Sequence, residues 1–425
     1  MRHFFIFSCL ISLLSAYFHG SGHNSVRGGS CADFLHKNHM TSCCLGRNDE
    51  CYMIHFDTRC YCDQFCGKNS TSDCCPDVIR EHNVNKCPAK AGICQRNGMV
   101  YQNNQRFMDN CNHCRCKNGV VKCKNRPCLI NPDLLSEING SNYGWTAANY
   151  SFFWSKTLEF AYLHYLGVTL PSYRQKPLSS DFSGHVQSSY DFRKEPYFQG
   201  KYPNGIKSQG MCAASWAFSM MDMVTDRASK YSRKPMDRSP SVEQLIACSS
   251  INKKRNKCSS LSVDQGWLSA QNMTGIADTE CYGNRDVQSG FLFTCKMKSS
   301  TCPGPANSTK KFYVSKAYPV WPQSKSIMKE ILMNGPVQMV FKIYDDFFMY
   351  KSGVYSPSRR AQSFIRNQYH GVKVLGWGSE NGMDYWLAAN SWGPDWGENG
   401  YFRIKRDVCS TEIGKHVYGA WVYIK

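Results

Sequence analysis

The chain has 425 residues and a formal net charge of +19. This length allows two or three domains and one large hydrophobic core. Its 24 cysteines indicate disulfides formed in an oxidising compartment, which argues against a cytosolic protein and against nucleic acid as a partner. A basic exported protein is better matched to acidic matrix components or to sulfated glycans.

The beginning of the chain, residues 1–20, is predicted to be a secretory signal peptide. Arg2 and His3 precede an apolar run that ends near Ala16 and is too short to cross a bilayer. No later stretch approaches about 18 uninterrupted apolar residues, so we expect no membrane span. Five glycosylation sequons agree with export, and they lie at Asn69, Asn139, Asn149, Asn272 and Asn307.

Residues 31–87 contain ten cysteines and almost no periodic apolar pattern, so a core there must be built from disulfides. The tract TRCYCDQFCGKNSTSDCCPDV resembles a somatomedin B domain. The cysteines that carry this resemblance are Cys60, Cys62, Cys66, Cys74 and Cys75. The segment has two cysteines beyond the usual eight of that family, which leaves the pairing open.

Residues 94–128 hold six cysteines with a C-x2-C-x-C core and glycine-containing turns, and they resemble a small von Willebrand factor C-type module. Zinc is the alternative for Cys111, Cys114 and Cys116, but a signal peptide without a matching histidine pair favours disulfides. We therefore expect no metal and no cofactor. Both small modules resemble protein-binding domains, or they only cap and space the large domain.

Basic residues are concentrated in the second of these modules, at Arg115, Lys117, Lys122, Lys124 and Arg126. Such a cluster indicates either a site for an acidic or sulfated partner or merely a solvated surface. A second basic run is KKRNK at 253–257.

Residues 129–187 have longer amphipathic stretches. Apolar positions at Leu158, Ala161, Tyr162 and Tyr165 have the spacing of a helix. The tract YGWTAANYSFF resembles the pro-segment of cathepsin B-like proteases. We expect a vestigial pro-segment that ends in a linker rich in proline and serine.

Residues 188–425 have the pattern of a large α+β domain. Apolar residues recur at helical spacing in the first half, and the second half contains the strand-like runs HGVKVLGWG, MDYWLAANSWG and GYFRIKR. Three motifs occur in the order of the papain family, namely SQGMCAASWAFS, QYHGVKVLGWG and LAANSWGPDWGENGYFRI. This resemblance implies a papain-like two-lobed domain.

The resemblance also implies a role for each matching residue. Gln209 stands at the position of the oxyanion donor, His370 at the general base, Asn390 at the amide that orients the imidazole, and Trp392 at the ring that shields the pair. Ser215 stands where the family has its nucleophilic cysteine. A serine hydroxyl is a far weaker acid than a thiol, and serine proteases support their histidine with a carboxylate rather than a neutral amide. We therefore expect most of the catalytic rate to be lost.

Two further departures from active relatives support this expectation. In CSSLS, residues 258–262, Ser260 and Leu261 replace the glycines that pair with substrate backbone, and their side chains are expected to obstruct that docking. Residues 281–311 contain no histidine, so the paired-histidine loop of cathepsin B is missing. Family analogy pairs Cys212 with Cys258 and gives Cys248 and Cys281 partners in the same block. Seven cysteines leave one odd, for which Cys409 is the candidate, and three fates stay open for it: a free thiol, a bond to another segment or a bond to another molecule.

The whole arrangement resembles the tubulointerstitial nephritis antigen family. This implies a secreted, catalytically inactive glycoprotein of the extracellular matrix or basement membrane that acts in adhesion or assembly, with laminin, collagen IV and integrins as partners. Two alternatives remain open. One is a weakly active hydrolase that uses Ser215, and the other is a cleft that binds peptides or proteases as a receptor.

Overall fold

The computed structural model describes residues 51–55, 58–62, 75, 93–171, 176–177, 184–251, 256–284, 287–290, 294–297, 310–362, 369–406 and 416–425. The chain forms two compact units, of which the first holds 1–107 and 113–124 and the second holds 108–112 and 125–425. Several predicted features lie outside the described residues. They are the signal peptide, most of 31–87 including Cys66 and Cys74, the sequons at Asn69 and Asn307, and Cys409.

The described strands are β1 Tyr52–His55, β2 Thr58–Tyr61, β3 Cys94–Arg96, β4 Met99–Tyr101, β5 Arg106–Asp109, β6 Asn112–Lys117, β7 Val120–Cys123, β8 Trp145–Ala147, β9 Val168–Thr169, β10 Tyr190–Asp191, β11 Leu261–Ser262, β12 Ile276–Ala277, β13 Lys311–Pro319, β14 Val337–Phe341, β15 Tyr350–Tyr355, β16 His370–Glu380, β17 Met383–Ala389, β18 Tyr401–Lys405 and β19 His416–Ile424. The described α-helices are α1 Pro132–Gly140, α2 Leu158–His164, α3 Ser215–Ser232, α4 Val242–Cys248, α5 Val263–Asn272 and α6 Ser324–Asn334.

The first unit is built from short antiparallel strands held by disulfides. Strands β1 and β2 form one hairpin, and the Cys60–Cys75 disulfide fastens it. Strands β6 and β7 form another, closed by the Cys114–Cys123 disulfide, and Cys94–Cys116 ties β6 to β3. With so little apolar surface to bury, these covalent links supply the stability that a hydrophobic core would otherwise give.

The disulfides also distinguish between the two roles considered for the cysteines of residues 94–128, namely disulfide bonding and zinc binding. Cys114 and Cys116 are joined to Cys123 and Cys94, and Cys111 is joined to Cys128 in the second unit. A sulfur in a disulfide offers no thiolate, and thiolate is the form that binds zinc. These three cysteines are therefore not available as zinc ligands.

One lobe of the second unit is organised around α3. This helix buries every residue from Ser215 to Ser229, as expected for a central helix packed on all sides. Its last turn ends at Arg233, which has a left-handed backbone conformation that terminates the helix. Apolar side chains of α4 and α5, including Leu245 and Trp267, complete the core of this lobe.

The other lobe is formed by a sheet of mostly antiparallel strands in the order β12-β13-β19-β14-β16-β17-β18-β15-β8, with β10 added to β16. Strand β16 is buried at its first nine positions, which explains its nearly continuous apolar sequence. Strand β8 comes from the predicted pro-segment and pairs with β15, so that Trp145 lies opposite Gly353. The predicted α+β fold class is confirmed.

Residues 129–171 are part of the core of the second unit. Leu134, Ile138 and Phe153 belong to the same buried cluster as Phe348 and Trp392. Helix α1 begins with Asn131 as N-cap, whose side chain accepts hydrogen bonds from two backbone amides. Among the described residues, no helix combines the length and apolar character that a bilayer-spanning segment needs.

Candidate functional site

The nucleophile position lies at the start of the longest helix described. Ser215 is the first residue of α3, where the helix dipole favours a negative charge. Its side chain is fully buried, and its Oγ accepts a hydrogen bond of 3.2 Å from the backbone N–H of Gly371. The hydroxyl oxygen is thus engaged with a backbone amide.

The imidazole of His370 and the side-chain amide of Asn390 are joined by a hydrogen bond. His370 begins β16, Asn390 follows the end of β17, and the His370 Nε2 to Asn390 Oδ1 distance is 2.7 Å. Because a carbonyl oxygen only accepts, Nε2 carries the proton. The other ring nitrogen, Nδ1, is buried and has no hydrogen-bond partner. Hence no hydrogen bond joins His370 to Ser215.

The burial of His370 also fixes its charge. Burial lowers the pKa of this imidazole from 6.5 to about 4, because the interior penalises the imidazolium, while the bond to Asn390 acts in the opposite direction. At neutral pH the ring is therefore uncharged. Ser215 carries a hydroxyl rather than a thiol, and burial favours the neutral form of the imidazole.

Trp392 lies against the imidazole of His370. The two ring centres are 4.9 Å apart, and Trp392 also stacks on Phe348 with a centre distance of 4.5 Å. Its indole Nε1 donates a 3.1 Å hydrogen bond to the carbonyl oxygen of Tyr165. That carbonyl belongs to the predicted pro-segment, which therefore lies directly over the site.

The side-chain amide of Gln209, at the position expected for the oxyanion donor, is surrounded by carbonyl oxygens. Gln209 is fully buried, and its Nε2 donates at 2.7 Å to the carbonyl of Cys212. The same nitrogen lies 3.3 Å from the carbonyl oxygens of both His164 and Leu166. Its Oε1 accepts a hydrogen bond from Ser391 Oγ at 2.6 Å. The amide thus has no free N–H for a reacting carbonyl in this state.

A segment of the chain itself fills the cleft, and we call residues 164–169 the cleft segment. Val168 and Tyr369 exchange two backbone hydrogen bonds, of 3.1 and 2.9 Å. On the other side, the Leu261 amide donates to the carbonyl of Gly167 at 3.1 Å, and β9 pairs with β11 in parallel. The segment is therefore an extended strand held between the two lobes.

The closest approach of this segment is at Gly167. A Cβ added there would lie 2.4 Å from the carbonyl oxygen of Ala213 and 2.8 Å from the amide nitrogen of Ala214. Its φ of +146° is also a conformation that other residues rarely adopt. Nearby, His164 Nδ1 lies 2.9 Å from the carbonyl oxygen of Met211. Only glycine lets the segment lie against the residues that precede Ser215.

The structure differs from the sequence-based expectation at CSSLS. Leu261 does not obstruct strand-like docking, because its backbone N–H points to the cleft segment while its side chain packs in the helical lobe. A backbone hydrogen bond does not require glycine. The cleft segment was not predicted from the sequence, although a glycine in YLGVTLP directly after a helical pattern was an available signal.

The structure also places the remaining predicted residues. The disulfides Cys212–Cys258 and Cys248–Cys295 are formed, and Cys281 is disulfide-bonded as well. The first of these fixes residue 212 three positions before Ser215. The sequon residues within the described ranges are exposed on the surface, and they are Asn139, Asn149 and Asn272.

Fold and site together define a papain-like protein. The family model of the papain family cysteine proteases matches residues 186–421. Among solved structures, "proCathepsin B S9 from Trypanosoma congolense" shares the fold with a TM-score of 0.56 and 24% identity, and the match covers 69% of this chain and 98% of that one.

Curated relatives match across both units. "Tubulointerstitial nephritis antigen" of Bos taurus is 35% identical over 414 residues, which covers 89% of this chain and 85% of the relative. "Tubulointerstitial nephritis antigen-like" of Mus musculus is 35% identical over 413 residues and covers 89% of this chain and 86% of the relative. The chain belongs to the tubulointerstitial nephritis antigen family.

Proposed function

We propose that this chain is a secreted papain-like protein without peptidase activity, which acts as an adhesion or assembly glycoprotein of the extracellular matrix or basement membrane. The observation that carries the inactive part is the state of Ser215. Its hydroxyl is bonded to the Gly371 amide, it makes no hydrogen bond with His370, and the cleft segment covers it.

The chemistry of the site supports this proposal. A serine becomes a nucleophile when a neighbouring base takes its proton, and the base must lie within hydrogen-bond reach. His370 is neutral and so has a free lone pair, but it is oriented by Asn390, which offers no negative charge to an imidazolium. Loss of one member of a catalytic triad typically lowers kcat by roughly four to six orders of magnitude.

The matrix part of the proposal rests on other features. The disulfides, the net charge of +19 and the exposed sequons suit a protein of the extracellular space. The likeness to tubulointerstitial nephritis antigens extends over 89% of the chain and is not limited to the papain-like domain. The family resemblance names laminin, collagen IV and integrins as partners to be tested in solid-phase binding assays.

The test of the inactive part is hydrolysis of fluorogenic peptides and of an unfolded protein by purified full-length chain. Ser215→Ala and Ser215→Cys are assayed beside the wild type. Because the cleft segment covers the site, each is also made with Gly167→Ala, which displaces the segment. We expect the wild type to hydrolyse the substrates no faster than Ser215→Ala does, both with and without the Gly167→Ala substitution.

The rate of hydrolysis by Ser215→Cys then shows whether the site lacks only its nucleophile or also the required geometry. Activity that appears only in the cysteine variants shows that the geometry is intact and that only the nucleophile was lost. Turnover by the wild type above the Ser215→Ala background, in either form, contradicts the proposal and establishes a serine-using hydrolase.

One observation favours a second role for the cleft as a peptide receptor. Strand β9 pairs with β11 and with Tyr369, so the cleft can hold an extended backbone through main-chain hydrogen bonds. A labelled peptide of residues 164–170, HYLGVTL, is expected to bind the Gly167→Ala variant and not the wild type. Absence of binding to both would remove the receptor role.

A further inference from the structure

The hairpin β6–β7 presents basic side chains on one face. Arg115 lies directly opposite Lys122 across the hairpin. Along β6, Arg115 and Lys117 are exposed, whereas Cys114 and Cys116 are buried. Because residues two apart on a strand share a face, the basic residues point away from the disulfides.

Lys124 extends the same face. It follows β7, is exposed, and donates its backbone N–H to the carbonyl of His113 at 3.0 Å, which continues the register of the hairpin. We call Arg115, Lys117, Lys122 and Lys124 the cationic face. Neighbours along a strand are about 7 Å apart and cross-strand neighbours about 5 Å apart, so the four charges form a compact grid.

No acidic side chain of the described residues forms an ion pair with the cationic face. Residues 110–128 contain no aspartate or glutamate. The ion pairs of the described residues involve other side chains. Like charges directly opposite each other, as at Arg115 and Lys122, destabilise a hairpin. A bound polyanion would convert this repulsion into attraction.

The hairpin that carries these charges is rigid. The Cys114–Cys123 disulfide joins directly opposite residues, with a Cα–Cα distance of 4.0 Å, and Cys94–Cys116 anchors the same strand. The turn is Asn118-Gly119 with φ of 52° and 81°, the residue types that a tight hairpin turn favours. A fixed array of cations loses little conformational entropy when a ligand binds.

We propose that the cationic face is a binding site for a sulfated polysaccharide, along which successive sulfate groups contact Arg115, Lys117, Lys122 and Lys124. This inference names a partner for the proposed matrix function and rests on that function for the extracellular setting. Exposed cations along a two-stranded hairpin suit an extended anionic chain better than the apolar anchors that protein partners typically use.

The test is binding of full-length chain to immobilised heparin, measured as affinity over a range of salt concentrations. The variant is Arg115→Ala/Lys122→Ala. The matched control is Lys351→Ala/Lys405→Ala, which removes the same charge from exposed positions of β15 and β18. Thermal unfolding of each variant is measured in parallel, and Arg115→Ala/Lys122→Ala should not be less stable because it removes a repulsive pair.

We expect the hairpin variant to lose at least about tenfold in affinity, with the slope of log affinity against log salt reduced by about one for each cation removed, as for other polyanions. The control should keep wild-type affinity. Equal losses in both variants would mean that net charge alone is responsible. Unchanged affinity of the hairpin variant, or equal binding of wild type to desulfated heparin or polyglutamate, overturns the inference.

The result does not depend on the outcome of the hydrolysis assay. If the chain proves to be a peptidase, the comparison of heparin affinities still decides whether the cationic face binds sulfated polysaccharide. If the chain is inactive but heparin binding is unaffected by the hairpin variant, this inference fails while the proposed function stands.

Discussion

Gly167 determines how closely the cleft segment approaches the start of α3. Its missing side chain leaves room for the Ala213 carbonyl, which an added Cβ would meet at 2.4 Å. We predict that Gly167→Ala displaces residues 164–169 and destabilises the closed state by about 1–3 kcal/mol, through both the contact and the φ of +146°. Hydrogen exchange at the amides of Val168, Leu261 and Tyr369 should become faster, since those amides bond across the segment.

A control variant separates the effect of a positive φ from the effect of the contact between the added Cβ and the Ala213 carbonyl. Gly200 has φ of +76° but nothing within 4 Å of an added Cβ. Gly200→Ala therefore adds a side chain at a positive φ without such a contact, and it should leave exchange in the cleft unchanged. Equal protection of the cleft amides in the wild type and in Gly167→Ala would show that the segment is not held where the structure places it.

At the scale of elements, the segment from α1 to β9 is fastened by an aromatic cluster. Phe153 is fully buried and lies 5.0 Å from Tyr165, 5.3 Å from Phe348 and 5.5 Å from Trp392, measured between ring centres. We predict that Phe153→Ala lowers the free energy of unfolding by about 3–5 kcal/mol. Denaturant unfolding measures this loss, and limited proteolysis should cut the chain within 129–187 sooner.

The neighbouring residue provides the matched control. Phe152 is 38% exposed, so Phe152→Ala removes the same number of atoms from a site that is partly in water. It should cost much less than Phe153→Ala. If both variants unfold at the same denaturant concentration as the wild type, residues 129–171 do not contribute to the core of the second unit.

The same elements show what the sequence could predict. The runs HGVKVLGWG and GYFRIKR are strands β16 and β18, and His370 meets Asn390 because their motifs fix side-chain types at both positions. The position of the cleft segment was not predictable in the same way. It is held by backbone groups of Gly167 and Val168, and backbone hydrogen bonds leave almost no trace in residue type. The expected obstruction at Leu261 failed for the same reason.

At the scale of the whole molecule, two buried groups contribute to the pH dependence of stability in opposite directions. Burial lowers the pKa of His370 from 6.5 to about 4, so the unfolded chain binds the proton more tightly. The stability that comes from keeping this ring neutral is fully present above pH 6.5 and is lost as the pH falls towards 4. The shift corresponds to roughly 3 kcal/mol.

The second group is Asp346, whose carboxylate accepts hydrogen bonds from the Tyr355 hydroxyl and the Ser358 amide. Burial nevertheless raises its pKa from 3.8 to about 6, because the interior penalises the charged form more than these bonds favour it. Here the folded chain binds the proton more tightly. The contribution of protonated Asp346 to the free energy of unfolding is fully present below pH 3.8. It is lost as the pH rises through 6, and the loss is again roughly 3 kcal/mol.

The contributions of His370 and Asp346 to the free energy of unfolding change with pH in opposite directions and nearly cancel. We therefore predict that a substitution of either residue makes the pH dependence due to the other one measurable. Urea unfolding of the wild type, His370→Gln and Asp346→Asn is compared at pH 4 and at pH 6.5. Relative to the wild type, His370→Gln should lose stability as the pH rises across this interval and Asp346→Asn should gain it, each by up to roughly 3 kcal/mol. Parallel pH profiles for all three proteins would mean that His370 is accessible to water, and the cleft segment would then not be closed over it in solution.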